Sequence, residues 1–160
     1  EEEKYKMSVE KERQYQKEFK PHLQLIDGLQ GFLENATEQK IKMAIGSAAI
    51  MFNIDFVLDG LNIRHYFDAI VSADDVTQSK PHPETYLKCA EKLGIAPQNC
   101  IVFEDAPKGV ESAANAGMQS VVITTMDTKE AFQQYNNILS FINDYRDLTL
   151  SFFPEMKRTL

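Results

Sequence analysis

Two adjacent carboxylates, Glu104 and Asp105, are the side chains of this sequence with the clearest capacity for chemistry. They directly follow the run 101–103 (Ile-Val-Phe), a short apolar segment typical of a buried parallel strand. In open α/β sheets the ligand crevice lies beyond the carboxyl ends of the strands. Two carboxylates held together there repel each other unless a cation neutralises them. The pair therefore indicates a Mg²⁺ site or, alternatively, a solvated turn with Asp105 near a helix start.

A hydroxyl and a lysine follow two other predicted strands. Ser47 lies in the small-residue turn 46–49, where its hydroxyl and the backbone N–H groups could donate to an anion. The alternative for Ser47 is an ordinary helix N-cap. Lys80 precedes Pro81-His82-Pro83, and two prolines fix the backbone so that the ammonium can be aimed. The alternative for Lys80 is a solvated loop lysine.

These three strand ends together suit a phosphoryl group. A lysine and a metal ion neutralise its non-bridging oxygens, and a hydroxyl orients them. The order along the chain is hydroxyl, then lysine, then acid pair.

Strands and helices alternate along the part of the chain that carries these residues. The alternation predicts an α/β fold with a parallel sheet covered on both faces. Asp27 is a candidate N-cap for the first helix of this part, and Tyr86, Ala90 and Leu93 form the inner stripe of a later one. The predicted strands cover 41–45, 68–72, 101–103 and 120–124, and the predicted helices cover 28–36, 53–61, a segment from Pro83 and a segment from Pro107 to Gly117.

The two ends of the chain are less regular. Residues 1–20 are highly charged and predict one or two exposed helices. After 125 the sequence predicts a helix near 128–135, an apolar stretch over 138–142, and a tail that contains Phe152, Phe153 and Pro154.

Composition narrows the class of protein. The 160 residues carry 24 acidic and 17 basic side chains, a net charge of −7, which argues against a nucleic-acid or anionic-membrane surface. No apolar run approaches the roughly 18 residues of a membrane span. Cys89 and Cys100 lack a C-x-x-C motif and are predicted to be reduced and buried, as in a cytoplasmic protein.

The three motifs resemble those of the haloacid dehalogenase (HAD) superfamily. MAIGSAA is similar to its motif II, SKPHPETY to motif III, and VFEDAPKGVESAANAGM to motif IV, the last in the form of the β-phosphoglucomutase-like branch. The resemblance covers about 21–125. It implies that Ser47 and Ala48 bind phosphate, that Lys80 bridges phosphate and nucleophile, and that Glu104 and Asp105 hold Mg²⁺. It also makes Lys80-Pro81 a candidate cis peptide bond and His82 a loop hydrogen-bonding residue.

One motif of that family has no counterpart here. The family's nucleophile and general acid/base lie in D-x-D-G-T at the end of the first strand, and the 160 residues contain no such sequence. The resemblance then implies a Rossmann-like HAD core over 21–160 whose first strand is missing, preceded by the tail of a helical cap over 1–20. A separate N-terminal segment or a second chain is expected to fill the sheet.

The implied activity is Mg²⁺-dependent phosphoryl transfer, with hydrolysis of a small phosphate ester as the leading hypothesis. A sugar phosphomutase of the β-phosphoglucomutase type is the alternative within the family. A non-catalytic protein that keeps a phosphate or Mg²⁺ site is the alternative from another class. The cap residues that select substrate are mostly outside the sequence, so the phosphorylated substrate stays open.

Overall fold

The computed structural model describes residues 2–150, with side chains from residue 9 onward. The predicted tail with Phe152, Phe153 and Pro154 lies outside the described residues. Within residues 2–150, five α-helices and five strands alternate for most of the length. The helices are α1 Glu2–Phe19, α2 Leu29–Glu38, α3 Met51–Gly60, α4 Glu84–Leu93 and α5 Pro107–Asn115, and the strands are β1 Ala44–Gly46, β2 Ala69–Val71, β3 Ile101–Glu104, β4 Gln119–Ile123 and β5 Ile138–Ile142.

The strands form two parallel sheets. β1 pairs with β2, and β4 lies between β3 and β5. Every strand pairing in the described part of the chain is parallel, which confirms the predicted α/β class. In that part, β1 and β3 each pair along one edge, and no described strand lies between them.

Local signals place most elements within a few residues of the prediction. Pro107 opens α5, and Gly117, with φ +75°, follows its end. The Asp27 N-cap is wrong, because the cap of α2 is Gly28 with φ +79° and no side-chain bond is made. A Cβ on Gly28 would lie 2.5 Å from the backbone nitrogen of Arg146, so this contact requires glycine.

The expectations for the C-terminal third need one correction and one addition. The helix predicted near 128–135 is only a short 3₁₀ turn, Lys129–Phe132. The apolar stretch 138–142 is the edge strand β5, whose partner β4 determines its conformation.

The two cysteines differ in burial. Cys100 is only half-buried, against the prediction, whereas Cys89 is buried, and both thiols are free.

The described residues form three apolar clusters, and two of them lie on opposite sides of the break between the sheets. Beside β1 and β2, the helices α2 and α3 bury Leu33, Ile54 and Leu58. Beside β4, α5 and the 3₁₀ turn bury Val110, Val122 and Phe132. The third cluster connects α4 to β3 and α5, and it consists of Tyr86, Ala90, Val102, Ala113, Ala116 and Met118.

Helix α1 lies against α3. Gln16 donates to the side chain of Asn53, and Asn53 donates to Glu12. Tyr15 and Phe19 remain 55% and 39% exposed and stack on each other. None of the helices within residues 2–150 has the length and apolar character required to cross a bilayer.

Candidate active site

The ammonium of Lys80 lies at the break between the two sheets. Its Nζ is 2.7 Å from Glu104 Oε1 at the end of β3, and 3.3 Å from the carbonyl oxygen of Gly46 at the end of β1. A third bond, 2.7 Å long, goes to the hydroxyl of Tyr86 on α4. Lys80 and Glu104 are only 14% and 10% exposed, so this is a largely buried ion pair. One cation therefore connects the carboxyl ends of both sheets.

The carboxylate of Glu104 is bonded through both oxygens. Oε1 accepts from Lys80 and from Tyr86, and Oε2 accepts from the backbone N–H groups of Asp105 and Ala106. Burial by itself would raise the pKa of this carboxyl, but the Lys80 charge and these hydrogen bonds outweigh it and hold the pKa below its usual range. Glu104 is therefore anionic near neutral pH.

Helix α5 approaches Glu104 at Gly109. A Cβ at Gly109 would lie 1.9 Å from the carboxyl carbon of Glu104. Because no side chain is present there, the carboxylate occupies the space against the first turn of α5. Gly109, in the first turn of α5, is thus part of the geometry of the ion pair.

The loop before α4 is held at both ends. Glu84 accepts from the N–H groups of Thr77 and Gln78, and it pairs with Lys88 at 2.9 Å. On the other side, Ser112 and Asn115 of α5 donate to the carbonyl groups of His82 and Pro81. These bonds fix the backbone on either side of Lys80.

Two details of this loop match the expectations from the sequence. The Lys80-Pro81 peptide bond is cis. His82 serves as a loop hydrogen-bonding residue, since its Nδ1 accepts from the N–H of Glu84.

The turn after β1 offers fewer donors than the sequence predicts. The Ser47 N–H donates to Val71 of β2, and the Ser47 hydroxyl accepts from the N–H of Ala49. The Ala48 N–H donates to no other group in the described part of the chain. Ala48 and Lys80 both line a cavity of about 220 Å³. The alternative of Ser47 as an N-cap is wrong, because α3 begins four residues later with Ile50 as its cap.

Asp105 is an exposed residue beside this network. Its partial burial and the negative charge of Glu104 raise the pKa of its carboxyl. Tyr145 is buried, and burial and then the charge of Asp105 raise the pKa of its phenol. A bound cation would offset the repulsion between the two carboxylates.

The described residues fit a metal ion only in part. The Asp105 carboxylate forms no ion pair with a basic side chain among residues 9–150, whereas both oxygens of Glu104 accept hydrogen bonds. In that range no group of three or more His, Cys, Asp or Glu side chains is placed to hold a metal ion. Carboxylate, water and phosphate oxygens suit Mg²⁺, which usually keeps several waters. This part of the chain would supply one or two of its ligands.

The structure thus brings together Lys80 and Glu104 in direct contact. Ser47 and Asp105 lie in the turns next to them, without a direct bond to Lys80. Tyr86 and Gly109 also shape the site, but the sequence does not predict them as site residues. Both lie within the segments that resemble motifs III and IV, but the sequence predicts for Tyr86 only an inward position on α4, and its contact with Glu104 spans 18 residues.

Comparison with known proteins agrees with these motifs. A sequence model of the family described as haloacid dehalogenase-like hydrolase matches residues 1–123. Fructose-1-phosphate phosphatase YqaB of Escherichia coli strain K12 is 46% identical over 79 residues, which cover 49% of this chain and 42% of that protein. Hexitol phosphatase B of the same strain is 35% identical over 99 residues, which cover 62% of this chain and 45% of that protein.

A solved structure extends the similarity to the fold. The crystal structure of β-phosphoglucomutase from Clostridium difficile has a TM-score of 0.79 and 30% identity, and the match covers 95% of this chain and 66% of that one. The chain spans less than half of the two phosphatases. On the family match and this structural likeness, the chain belongs to the haloacid dehalogenase-like hydrolases, in their β-phosphoglucomutase-like branch.

Proposed function

We propose that this chain provides the phosphate- and metal-binding half of a Mg²⁺-dependent phosphatase that acts on a small phosphorylated sugar or polyol. The observation that carries the proposal is the buried Lys80 ammonium, held at the carboxyl ends of β1 and β3 by Gly46 and Glu104. A cation fixed at the end of parallel strands can stabilise the charge of a transferring phosphoryl group.

Each predicted site residue has a role in this proposal. Lys80 neutralises a non-bridging oxygen, and the free N–H of Ala48 donates to another. Ser47 orients the same group through its hydroxyl. Asp105 would hold Mg²⁺, with Glu104 beside it, and bound Mg²⁺ would add positive charge at the phosphoryl oxygens.

The nucleophile is proposed to lie outside the 160 residues. These residues contain no D-x-D-G-T sequence, and the edges of β1 and β3 that face the break pair with no described strand. A strand ending in that motif, from a separate segment or a second chain, would pair with both edges and present an aspartate to the phosphorus. We therefore expect the 160 residues alone to be inactive.

The substrate class follows from the relatives. The two relatives named above are a fructose-1-phosphate phosphatase and a hexitol phosphatase. A sugar phosphomutase is the second candidate, because the solved neighbour is a β-phosphoglucomutase.

The two free cysteines support the proposal of a cytoplasmic location.

The test is phosphate release by the protein that carries these residues, from a panel of sugar and hexitol phosphates, with Mg²⁺ and with EDTA. We expect Mg²⁺-dependent hydrolysis, abolished by Asp105→Asn. Isomerised sugar phosphate without free phosphate would identify the mutase. No reaction with any phosphate ester would contradict the proposal.

A further inference from the structure

Tyr86 is a buried residue of α4 to which the proposed reaction gives no role. Its hydroxyl lies 2.7 Å from Lys80 Nζ and 2.7 Å from Glu104 Oε1. The centre of its ring is 4.6 Å from the same ammonium. Only 6% of the residue is exposed. Both the hydroxyl and the ring face of Tyr86 therefore contact the ion pair at the break between the sheets.

The direction of these hydrogen bonds follows from the chemistry of the groups. An ammonium has only donors, so the Tyr86 oxygen accepts from Lys80. The Tyr86 O–H is then available to donate to the carboxylate of Glu104, which has only acceptors. Burial, and then the charge of Glu104, raises the pKa of Tyr86, so the phenol keeps the proton that it donates.

The ammonium has three N–H groups, and their three bonds differ in length. The bonds to Tyr86 and Glu104 measure 2.7 Å, whereas the bond to the Gly46 carbonyl measures 3.3 Å and is the weakest of the three. Gly46 directly precedes Ser47 and Ala48, the turn proposed to bind phosphate. A phosphoryl oxygen at that turn could take the third N–H while the two short bonds persist.

We propose that Tyr86 is a positioning residue for phosphoryl transfer. Together with Glu104 it fixes two N–H groups of Lys80, and the third is thereby directed at the turn after β1. The consequence for turnover rests on the proposed function, but the ordering of Lys80 does not. Tyr86→Phe removes only the hydroxyl, because the ring keeps its packing against Ala90, Val102 and Ala113.

The first test observes Lys80 directly, by NMR of its ¹⁵N-labelled ammonium in the 160-residue chain. We expect slow hydrogen exchange in the wild type and exchange about 10- to 100-fold faster in Tyr86→Phe, since a hydrogen bond to a charged group is lost. Tyr135→Phe is the matched control, because its hydroxyl lies 3.5 Å from Glu111 and not at Lys80. Unchanged exchange in Tyr86→Phe, or a wild-type Lys80 that exchanges like an exposed lysine, overturns the proposal.

The second test measures turnover in the protein that carries these residues. Tyr86→Phe should lower kcat about 10- to 100-fold with a smaller change in KM. In a Lys80→Ala background the same substitution should cost nothing further, because the hydroxyl acts through Lys80. An equal loss in both backgrounds overturns the proposal. If the wild type hydrolyses no phosphate ester, the proposed function fails, and the NMR result alone decides whether Tyr86 orders Lys80.

Discussion

The two strands beside the break, β1 and β3, are less buried than the central strand β4. β4, which has a partner on each side, is buried along Ser120 to Ile123. β1 has one partner, and all three of its residues are half-buried. β3 also pairs along one edge, and only Val102 of its four residues is buried. The strands that carry the site are therefore the ones that are least covered by the described part of the chain.

The comparison shows how the site and the joint between the sheets depend on each other. Lys80 bonds to the end of each sheet, and α5 supports both Glu104 and the loop that carries Lys80. A ring cluster on the other side of β3, formed by Phe32, Phe103 and Tyr145, adds an apolar connection from α2. A buried ion pair such as Lys80 with Glu104 contributes little net stability, but removal of one member leaves an uncompensated buried charge.

The largest expected effect comes from removal of the cation itself. In the whole protein, Lys80→Ala should lower kcat by about 10²- to 10³-fold or more, because the phosphoryl charge loses its fixed partner. Lys92→Ala, at the exposed C-terminal end of α4, is the control and should leave kcat unchanged. Steady-state kinetics with Mg²⁺ measure both variants. If Lys80→Ala kept near wild-type kcat, the role of Lys80 would be only structural, as a connection between the two sheets.

The next largest effect is expected on the free energy of unfolding, and it compares a glycine beside the ion pair with a glycine in α2. Gly109→Ala forces Glu104 away from α5 and Lys80, and we expect a loss of about 3–5 kcal/mol, as for a broken buried ion pair. Gly31→Ala in α2 is the matched control, because nothing lies within 4 Å of a Cβ added there. That variant should gain about 0.5–1 kcal/mol from helix propensity. Denaturant unfolding gives both values, and equal effects would mean that Gly109 has only a helical role.

The sequence predicts the elements near the motifs better than it predicts the contacts between them. Pro107, Gly117 and the apolar runs are local signals, so α5 and the parallel strands are predicted within a few residues. Tyr86 is predicted to face inward, which the structure confirms, but its hydroxyl partner Glu104 is 18 residues away in sequence. Spacing along a helix predicts which face of the helix a residue occupies, but it does not predict which polar group its side chain contacts.

The Asp27 N-cap and the helix near 128–135 fail for a related reason. Residues that are distant in sequence decide both conformations. The backbone at Arg146 lies against Gly28, and Phe132 packs against Val110 of α5 and Val122 of β4. A contact between distant residues also separates the two members of the acid pair. Glu104 bonds to Lys80, which comes 24 residues earlier, whereas Asp105 does not.

A smaller effect is expected in the pH dependence of folding. The pKa of Glu104 is lower in the folded chain than its ordinary value of 4.5. Its contribution to stability is therefore fully present above about pH 4.5 and is lost as pH falls through the folded pKa. Asp105, with a raised pKa, acts in the opposite sense, since its ionisation costs stability as pH rises. Each unit by which a pKa changes on folding corresponds to about 1.4 kcal/mol.

The measurement is the free energy of unfolding from about pH 7 to about pH 3, for the wild type and Glu104→Gln. The wild-type value should fall more steeply with acid, and the difference between the two proteins should shrink below about pH 4.5. Asp55→Asn, at an exposed pair with Arg64, is the control and should leave the profile unchanged. Parallel profiles for the wild type and Glu104→Gln would contradict the lowered pKa.

The smallest effect tests the break between the sheets most directly. Ile123→Val in β4, a residue 6% exposed, should cost about 1 kcal/mol in the 160-residue chain. Ile45→Val in β1, where the side chain is half-buried, should cost clearly less. In the protein with a strand bound between β1 and β3, Ile45 would be covered, and the two substitutions should then cost the same. Unfolding of both variants with and without that strand measures the change. A cost of Ile45→Val that stays low in both forms would show that the added strand does not pair beside β1.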